Sequence, residues 1–301
     1  MQGNTTPDDG PLAPATARRR AWIRRFVFWW VVGMMSDAML MFVGVDKLHI
    51  DPDPTWTIVV ALFVVPWSLA AALTWRAKRR GTLEEPDAWP RWALVGLVMF
   101  TLWATIYLLV SRLPDPSRVH YFSTELESNM LLRPAYALLY VLLYPIFVLP
   151  FFSVRDPAVM RRLVISYLVM IVFCSVVFVA FPVGVERPPM PAQDDLGTWV
   201  LSMVWATDVS WNCMPSEHCM AAMLAALACW ESDKRVGAFA FLATLCIGLS
   251  TLFTKQHYLV DVFVGFALAL VLHASVRLSV WRNLDVLPNG SSDVLERIFG
   301  R

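Results

Sequence analysis

The stretch from Val236 to Val280 decides the fold, and it reads VGAFAFLATLCIGLSTLFTKQHYLVDVFVGFALALVLHASVRLSV. Two apolar runs, 236–254 and 258–280, stand on either side of a short polar break. About 20 apolar residues in a helix span a hydrocarbon core of roughly 30 Å. Because irregular backbone in lipid would leave amide groups without partners, each run is predicted to be a transmembrane helix.

The same pattern recurs along the chain, which is 57% hydrophobic and only 16% charged. A soluble domain carries about a quarter charged residues. We therefore predict an all-α, polytopic transmembrane helical bundle, with kinks at Pro66, Pro145 and Pro150. The eight predicted spans are 26–45, 56–75, 92–112, 134–152, 162–181, 216–230, 236–254 and 258–280.

Positive charge supports this count and orients the chain. With the N-terminus in the cytoplasm, 19 of the 25 lysines and arginines fall on the inner side, as the positive-inside rule requires. Both termini are then cytoplasmic, in what we predict to be a bacterial inner membrane. The near-neutral net charge of +1 does not indicate a nucleic-acid partner. The six outer cations are Lys47, Arg112, Arg118, Arg133, Arg187 and Lys255.

The chain ends and the cysteines add little chemistry. Residues 1–25 are polar and then basic, which predicts a disordered cytoplasmic segment rather than a cleaved signal peptide. Residues 283–301 are predicted to be a cytoplasmic tail. Five cysteines, mostly inside apolar runs, are typical of small buried residues, although Cys213 and Cys219 are near enough in sequence to pair. Their spacing with histidine does not match a metal site.

Three polar clusters lie at span ends on the predicted outer side. Ionisable groups are costly near lipid, so such clusters favour a functional hypothesis. They are Arg187-Pro188, then Pro215-Ser216-Glu217-His218, and finally Ser250-Thr251 with Lys255, His257 and Asp261.

The residue types in these clusters suit phosphoryl transfer. His257 and Asp261 are four residues apart, so on a helix the carboxylate can fix the imidazole tautomer and leave the other nitrogen free to attack. His218 is a second imidazole that can protonate a leaving oxygen. Arg187 and Lys255 supply positive charge for phosphate oxygens. Such a site needs no metal, and we predict none.

These residues resemble the type-2 phosphatidic acid phosphatase (PAP2) superfamily over roughly residues 134–280. That family is marked by Lys-x6-Arg-Pro, Pro-Ser-Gly-His and Ser-Arg-x5-His-x3-Asp. The chain departs from these patterns at Ala180, which stands at the Lys position, at Glu217, which stands at the Gly position, and at Thr251, which stands at the Arg position.

The resemblance implies a six-helix catalytic core, placed here within residues 113–282, with residues 26–112 as additional N-terminal helices. It implies that His257 is the nucleophile that becomes phosphohistidine, that Asp261 orients it and that His218 protonates the leaving group. It also implies that Arg187 and Ser216 hold phosphate oxygens.

Lys255 is predicted to replace one of the missing family cations. The implied substrate is a phospholipid or a polyprenyl phosphate, with no cofactor. The stretch 249–261 also resembles a branch that includes inositol phosphorylceramide synthase-like proteins, which pass a headgroup to a second lipid acceptor. Phosphatase and phosphotransferase therefore both remain open, because one covalent intermediate accepts either water or an alcohol.

Other polar residues have competing interpretations. Glu217, Ser250 and Tyr144 are predicted to line a headgroup or acceptor pocket, although Glu217 can instead pair with Arg187. Tyr140 and Arg133 are either pocket or interfacial residues. The segment from Trp199 to Trp211 is either a short interfacial helix or a loop packed on the bundle.

The alternative to an enzyme is a non-catalytic lipid-binding or transport protein that keeps the same scaffold. Ala180 and Thr251 favour this alternative, whereas His218, His257 and Asp261 favour catalysis.

Overall fold

The computed structural model describes residues 89–154 and 156–278, and these are mostly helical. Two short strands, β1 (His120–Tyr121) and β2 (Val183–Gly184), and two 3-10 turns, Pro116–Arg118 and Pro134–Tyr136, complete the ordered elements. The helices are α1 (Trp89–Val110), α2 (Glu125–Asn129), α3 (Ala137–Tyr140), α4 (Leu143–Val148), α5 (Pro150–Ser153), α6 (Pro157–Ala180), α7 (Leu196–Thr207), α8 (Glu217–Ser232), α9 (Lys234–Phe253) and α10 (Leu259–Leu278).

Three described helices are long and apolar enough to cross a membrane: Ala158–Ala180 within α6, then α9 and α10. They coincide with the predicted spans at 162–181, 236–254 and 258–280. The predicted spans at 92–112 and 216–230 form α1 and α8, while those at 26–45 and 56–75 lie outside the described residues. The count of eight spans and the six-helix core therefore stay predictions.

The predicted span at 134–152 is a series of short helical pieces rather than one kinked helix. A 3-10 turn leads into α3, and α4 and α5 follow after breaks near Val141 and Leu149. Proline at position i removes an N–H and clashes with the carbonyl of residue i−4, so Pro145 disturbs the turn at Val141. There the Tyr144 N–H donates instead to the Val141 carbonyl, three residues back, at 3.3 Å.

Helix α8 lies at the centre of the described bundle. It packs against α6, α9 and α10, and all of its residues from Glu217 to Ala226 are buried. Its run of alanines allows neighbouring backbones to approach closely. The Ser216 hydroxyl caps its first turn by accepting a hydrogen bond from the Cys219 N–H at 3.3 Å. The start of α8 is therefore fixed in the interior of the bundle.

The loops at one end of the bundle are tied together by a small parallel ladder. Strand β1 pairs with β2, His120 opposite Val183 and Tyr121 opposite Gly184, and Val183 also bridges to Asn212. This ladder joins the segment after α1 to the loops after α6 and α7. All three segments therefore meet at the end of the bundle where α8 and α10 begin.

The tryptophan-rich segment forms a helix and also packs on the bundle. Helix α7 begins with a capping box between Asp195 and Thr198, and it contacts the 3-10 turn at Pro134–Tyr136 and α3. Trp199 is buried, and the Trp205 indole donates to the Thr254 carbonyl at 2.9 Å. The segment is therefore a helix that packs on the bundle, and its position at the membrane interface stays a prediction.

Candidate active site

His257 and Asp261 lie together in the interior, at the junction of α9 and α10. The His257 Nδ1 is 3.7 Å from the Asp261 Oδ2, and both side chains are buried. His257 precedes α10 rather than sharing a helix face with Asp261, because the chain turns at 254–258 before the helix begins. The Asp261 Oδ2 accepts a hydrogen bond from the Tyr258 N–H at 2.8 Å, which holds the carboxylate against this turn.

His218 faces His257 from the first turn of α8. The His218 Nδ1 lies 3.3 Å from the His257 Nε2, so the two imidazoles meet edge to edge. Their closeness depends on tight packing of α8 against α10, where the Ser216 N–H donates to the Asp261 carbonyl at 3.2 Å. The structure thus brings together the three residues expected to carry the chemistry.

Two tyrosines and an aspartate complete this cluster on the other side of His218. The Tyr140 hydroxyl lies 2.7 Å from the His218 Nε2 and donates to the Asp208 Oδ2 at 2.8 Å. The Tyr107 hydroxyl donates to the Asp208 Oδ1. Sequence reasoning missed Asp208 and Tyr107, since no motif contains them. Their one signal was a position beside the predicted membrane boundary, a costly place for a carboxylate.

A cavity of about 670 Å³ opens beside His257. Its volume falls within the range of about 300–1,000 Å³ typical of small-molecule sites. Cationic, acidic and apolar side chains share its wall. The lining residues are Ser123, Glu127, Ser128, Met130, Leu131, Leu132, Arg133, Val185, Glu186, Arg187, Pro188, Pro189, Leu252, Lys255, His257 and Tyr258.

Arg187 lines the cavity, but most of its N–H groups already have protein acceptors. Its Nη1 donates to the Asp208 carbonyl at 2.8 Å and to the Trp205 carbonyl at 3.5 Å, and its Nη2 donates to the Gln256 Oε1. Its Nε donates to the Lys255 carbonyl at 3.4 Å. The guanidinium group therefore joins the loop after α7 to the turn before α10.

Lys255 lines the same cavity from a left-handed backbone conformation, with φ of 54°. Its Nζ donates to the Glu127 carbonyl at 2.9 Å, while the Glu127 carboxylate accepts from the Leu259 N–H at 2.6 Å. Burial lowers the pKa of Lys255 from its ordinary value, and the Glu127 charge acts in the opposite direction. An ammonium has three N–H donors, so Lys255 retains donors for a ligand.

Ser216 and the predicted pocket residues lie outside the cavity wall. Ser216, Glu217 and Ser250 are buried, and the Ser250 hydroxyl donates to the Ile247 carbonyl at 2.6 Å. Tyr144 packs in the apolar core, with its ring 6.0 Å from that of Phe100. A pocket role for Glu217, Ser250 and Tyr144 stays a prediction.

The two positions that depart from the family pattern carry no cation in the structure. Ala180 ends α6 at the surface, and the buried Thr251 donates its hydroxyl to the Gly248 carbonyl at 2.7 Å.

Three potential metal ligands lie close together at the centre of this site. One donor atom each from Cys213, His257 and Asp261 lies within 4.8 Å of the others, and all three residues are buried. A divalent ion such as Zn²⁺ accepts this mixture of ligands. The absence of a metal stays a prediction. Cys213 and Cys219 are free thiols, so the pairing suggested by their sequence positions does not form.

Comparison with known proteins gives one match. The model of the PAP2 superfamily matches residues 115–275, a segment that contains His218, His257, Asp261 and the described cavity. No curated protein and no solved structure matches the chain. The family match covers more than half of the sequence, from the 3-10 turn after α1 to the last turns of α10. The chain therefore belongs to the PAP2 superfamily.

Proposed function

We propose that this protein is a metal-independent phosphatase or headgroup phosphotransferase that acts on a lipid phosphate through a phosphohistidine at His257. Membership of the PAP2 superfamily suggests phosphatase-type chemistry, and the long apolar helices fit a membrane protein. The observation that carries the finer proposal is the 3.3 Å approach of the His218 Nδ1 to the His257 Nε2 beside the cavity.

In the first step, the lone pair of the His257 Nε2 attacks phosphorus. The bond from phosphorus to the leaving oxygen breaks, that oxygen keeps the electron pair, and it takes a proton from the His218 Nδ1. Attacking and leaving atoms lie roughly in line in such reactions, so a bound phosphoryl group would separate the two imidazoles. Asp261, beside the His257 Nδ1, stabilises the positive charge that develops on the ring.

In the second step, water or a lipid hydroxyl attacks the phosphohistidine. The P–N bond breaks and its electron pair returns to the His257 Nε2, while the acceptor gives its proton to the His218 Nδ1. Transfer to water yields free phosphate, and transfer to an alcohol yields a new phosphate ester. The same side chains serve both outcomes, because only the acceptor differs.

Lys255 is the principal phosphate-binding cation in this proposal. Lys255 gives one of its three N–H donors to the Glu127 carbonyl, whereas Arg187 gives most of its donors to the protein. Arg133 is a further cation in the cavity wall. Ser216 is fully buried outside the cavity wall and accepts a hydrogen bond from the Cys219 N–H, so a contact of its hydroxyl with a phosphate oxygen stays a prediction. This assignment fits a chain in which Ala180 and Thr251 stand at two positions that carry cations in the family pattern.

The substrate is a phospholipid or a polyprenyl phosphate at the outer leaflet of the membrane. Apolar residues Met130, Leu131 and Leu252 stand in the cavity wall near the cations, an arrangement that suits a lipid with a charged head. The distribution of lysine and arginine supports an outward-facing site, the periplasmic side in a bacterium. The resemblance to inositol phosphorylceramide synthase-like proteins favours a second lipid as acceptor.

A non-catalytic lipid-binding or transport protein is the second candidate. The observations that favour it are the two missing cations, at Ala180 and Thr251, and the engagement of Arg187 by protein acceptors. Such a protein would bind lipid phosphate without turning it over.

One experiment separates these candidates. Purified protein in lipid–detergent micelles is incubated with phosphatidate, phosphatidylglycerol phosphate, polyprenyl diphosphate, or phosphatidylinositol plus ceramide. Wild type should turn over at least one of these, His257→Ala should turn over none, and His120→Ala should match wild type because His120 is exposed and away from the cavity wall. If wild type and His257→Ala behave alike on every substrate, the enzyme proposal is wrong.

The products then identify the type of enzyme. Release of inorganic phosphate indicates a phosphatase. Transfer of a labelled headgroup to a second lipid without free phosphate indicates a phosphotransferase. Acid-labile, base-stable label on the wild-type chain, lost in His257→Ala, would identify the phosphohistidine itself.

A further inference from the structure

The cluster of Asp208, Tyr140 and Tyr107 beside His218 belongs to none of the motifs that carry the proposed mechanism. Asp208 ends α7, Tyr140 ends α3, and Tyr107 lies in the last turn of α1. Three separate segments therefore converge on one imidazole. Tyr140 is 1% exposed, His218 6% and Asp208 7%, so water does not satisfy their polar groups.

The charge of Asp208 requires a partner in this setting. A buried carboxylate is costly unless hydrogen bonds and an opposite charge compensate it. Among described residues, the side chains recorded in contact with this carboxylate are Tyr107, Tyr140 and His218, whose Nε2 is 3.8 Å from the Asp208 Oδ2. Arg187 reaches the backbone carbonyl of Asp208. His218 is thus the contacting group that can carry a balancing positive charge.

The hydrogen bonds also determine where the protons lie. An ionised carboxylate only accepts, so the Tyr140 hydroxyl proton points at the Asp208 Oδ2. A hydroxyl has one proton, so the Tyr140 oxygen must accept from its other neighbour, the His218 Nε2 at 2.7 Å. The Nε2 therefore carries a proton, and the Nδ1 is the nitrogen that faces His257 and the reacting group.

We infer that Asp208 and Tyr140 form a hydrogen-bonded relay that holds His218 in the tautomer that exchanges its proton with substrate through Nδ1. The inference rests on the proposed function, in which His218 is the acid and base. Asp208 then acts on His218 through Tyr140, as Asp261, 3.7 Å from the His257 Nδ1, acts on His257 in the proposed mechanism. Asp208 and Tyr140 are positioning residues, and Tyr107 holds the other carboxylate oxygen in place.

Proton transfer in this arrangement is balanced. When the leaving oxygen takes the Nδ1 proton, His218 becomes neutral. Its Nε2 keeps its own proton, which stays hydrogen-bonded to the Tyr140 oxygen. When the acceptor returns a proton to Nδ1, the ring becomes cationic and the Asp208 carboxylate stabilises it. The Tyr140 hydroxyl keeps its proton and Asp208 stays ionised in both steps.

The test compares Tyr140→Phe and Asp208→Asn with His218→Ala. Two substrates are used: the panel lipid that wild type turns over fastest, and para-nitrophenyl phosphate. An alcohol needs a proton to leave, whereas nitrophenolate leaves without one, so a defect in the acid should affect the lipid reaction selectively. Tyr167→Phe is the control, since it removes another buried hydroxyl, which donates to the Phe147 carbonyl away from the site.

We expect Tyr140→Phe and Asp208→Asn to lower kcat on the lipid by about 10- to 100-fold, with little change in KM. A positioning residue should contribute less than the roughly 100- to 10,000-fold that the general acid–base group itself contributes. The decrease on the aryl ester should be much smaller, and His218→Ala should show the same selectivity. Tyr107→Phe should have a weaker effect, because Tyr107 does not contact the His218 ring through a hydrogen bond.

Three outcomes decide the matter. Equal losses on both substrates, together with a lowered melting temperature, would mean that Tyr140 and Asp208 are structural, and the inference would fail. Wild-type kcat in Tyr140→Phe while His218→Ala is inactive would also overturn it but leave the proposed function intact. Full activity in His257→Ala would overturn the proposed function itself.

Discussion

At the scale of single residues, the site pairs each imidazole with an acid of its own. Asp261 lies beside the His257 Nδ1. Tyr140 contacts the His218 Nε2 and links it to Asp208 by a second hydrogen bond. The inner nitrogens of the two rings are thereby directed toward each other. The family motifs contain only half of this arrangement, because Asp208 and Tyr140 belong to different segments of the chain.

Lys255 provides the sharpest residue-scale prediction about substrate binding. Lys255→Asn should lower kcat/KM for the lipid by about 10- to 100-fold, because a hydrogen bond to a charged group contributes roughly 1.5–3 kcal/mol. Asparagine tolerates the left-handed conformation of this position, so the backbone should be preserved. Steady-state kinetics measure the effect.

Lys255→Arg serves as the control, since it keeps the charge at the same position. It should retain more of the wild-type kcat/KM than Lys255→Asn does. Equal kcat/KM values for wild type and Lys255→Asn would show that Lys255 is no replacement for the cations missing at Ala180 and Thr251.

At the scale of elements, close packing of α8 on α10 sets the distance between the two histidines. Gly265 on α10 has no side chain, and a Cβ there would lie 2.6 Å from the Ser216 carbonyl oxygen. Small residues allow helices in membranes to approach in this way. On the other flank, Glu127 joins α2 to the start of α10 through the Leu259 N–H.

Gly265→Ala should therefore lower both kcat and the melting temperature. Glycine to alanine in a helix ordinarily stabilises by about 0.5–1 kcal/mol, so a loss would reveal the steric conflict with Ser216. Gly248→Ala is the matched control, because its Cβ would meet the end of the Phe266 side chain, which can move, at 2.9 Å. Lipid turnover and thermal unfolding in detergent measure both variants.

The control should keep activity close to wild type. If Gly265→Ala is as active and as stable as Gly248→Ala, the contact between α8 and α10 does not set the geometry of the site.

Glu127 predicts how stability depends on pH. Burial by itself would raise the pKa of Glu127, but hydrogen bonds from Thr124 and Leu259 and the charge of Lys255 lower it overall. A carboxyl whose pKa is lower when folded stabilises fully above its unfolded pKa of about 4.3, and this contribution is lost as the pH falls through the folded pKa. The melting temperature of wild type should therefore fall more on acidification than the melting temperature of Glu127→Gln.

Glu125→Gln controls for the change in net charge, since Glu125 is exposed in the same helix. Its melting temperature should follow wild type as the pH is lowered from 7 to below the folded pKa of Glu127. If the melting temperature of Glu127→Gln also follows that of wild type, the Glu127 carboxylate does not stabilise the connection between α2 and the start of α10.

At the scale of the whole molecule, the described polar site lies at one end of the bundle. The chain reaches this end at the close of α6 and α9 and leaves it at the start of α8 and α10. Because neighbouring helices run antiparallel, motifs that are far apart in sequence meet at this same end of the bundle. The charge distribution predicts that this level faces outward.

Labelling from outside the cell tests that orientation. A membrane-impermeant maleimide should label Asp194→Cys in intact spheroplasts, because Asp194 is exposed in the loop before α7. A cysteine appended after Arg301 should be labelled only after permeabilisation. The parent chain gives the background. It should be low, since Cys174, Cys213, Cys219 and Cys229 are buried and the partly exposed Cys246 lies in the middle of the apolar helix α9. The reverse pattern would place the site on the cytoplasmic side.

The sequence by itself determined the helical class and the three long apolar helices, and it named His218, His257 and Asp261 as candidate site residues. Apolar length and motif spacing are local properties, and the helices at 157–180, 234–253 and 259–278 follow directly from them. Local reasoning was weaker at 134–152, where prolines divide the predicted span into short pieces.

Only the tertiary structure decided the partners of those residues. Tyr107, Tyr140 and Asp208 are separated from His218 by between 10 and 111 residues of sequence, and no periodicity relates them. They meet because α1, α3 and the end of α7 pack around the start of α8, where a buried carboxylate must find hydrogen-bond donors. The sequence names the two histidines, and the packing determines which nitrogen of each one faces the other.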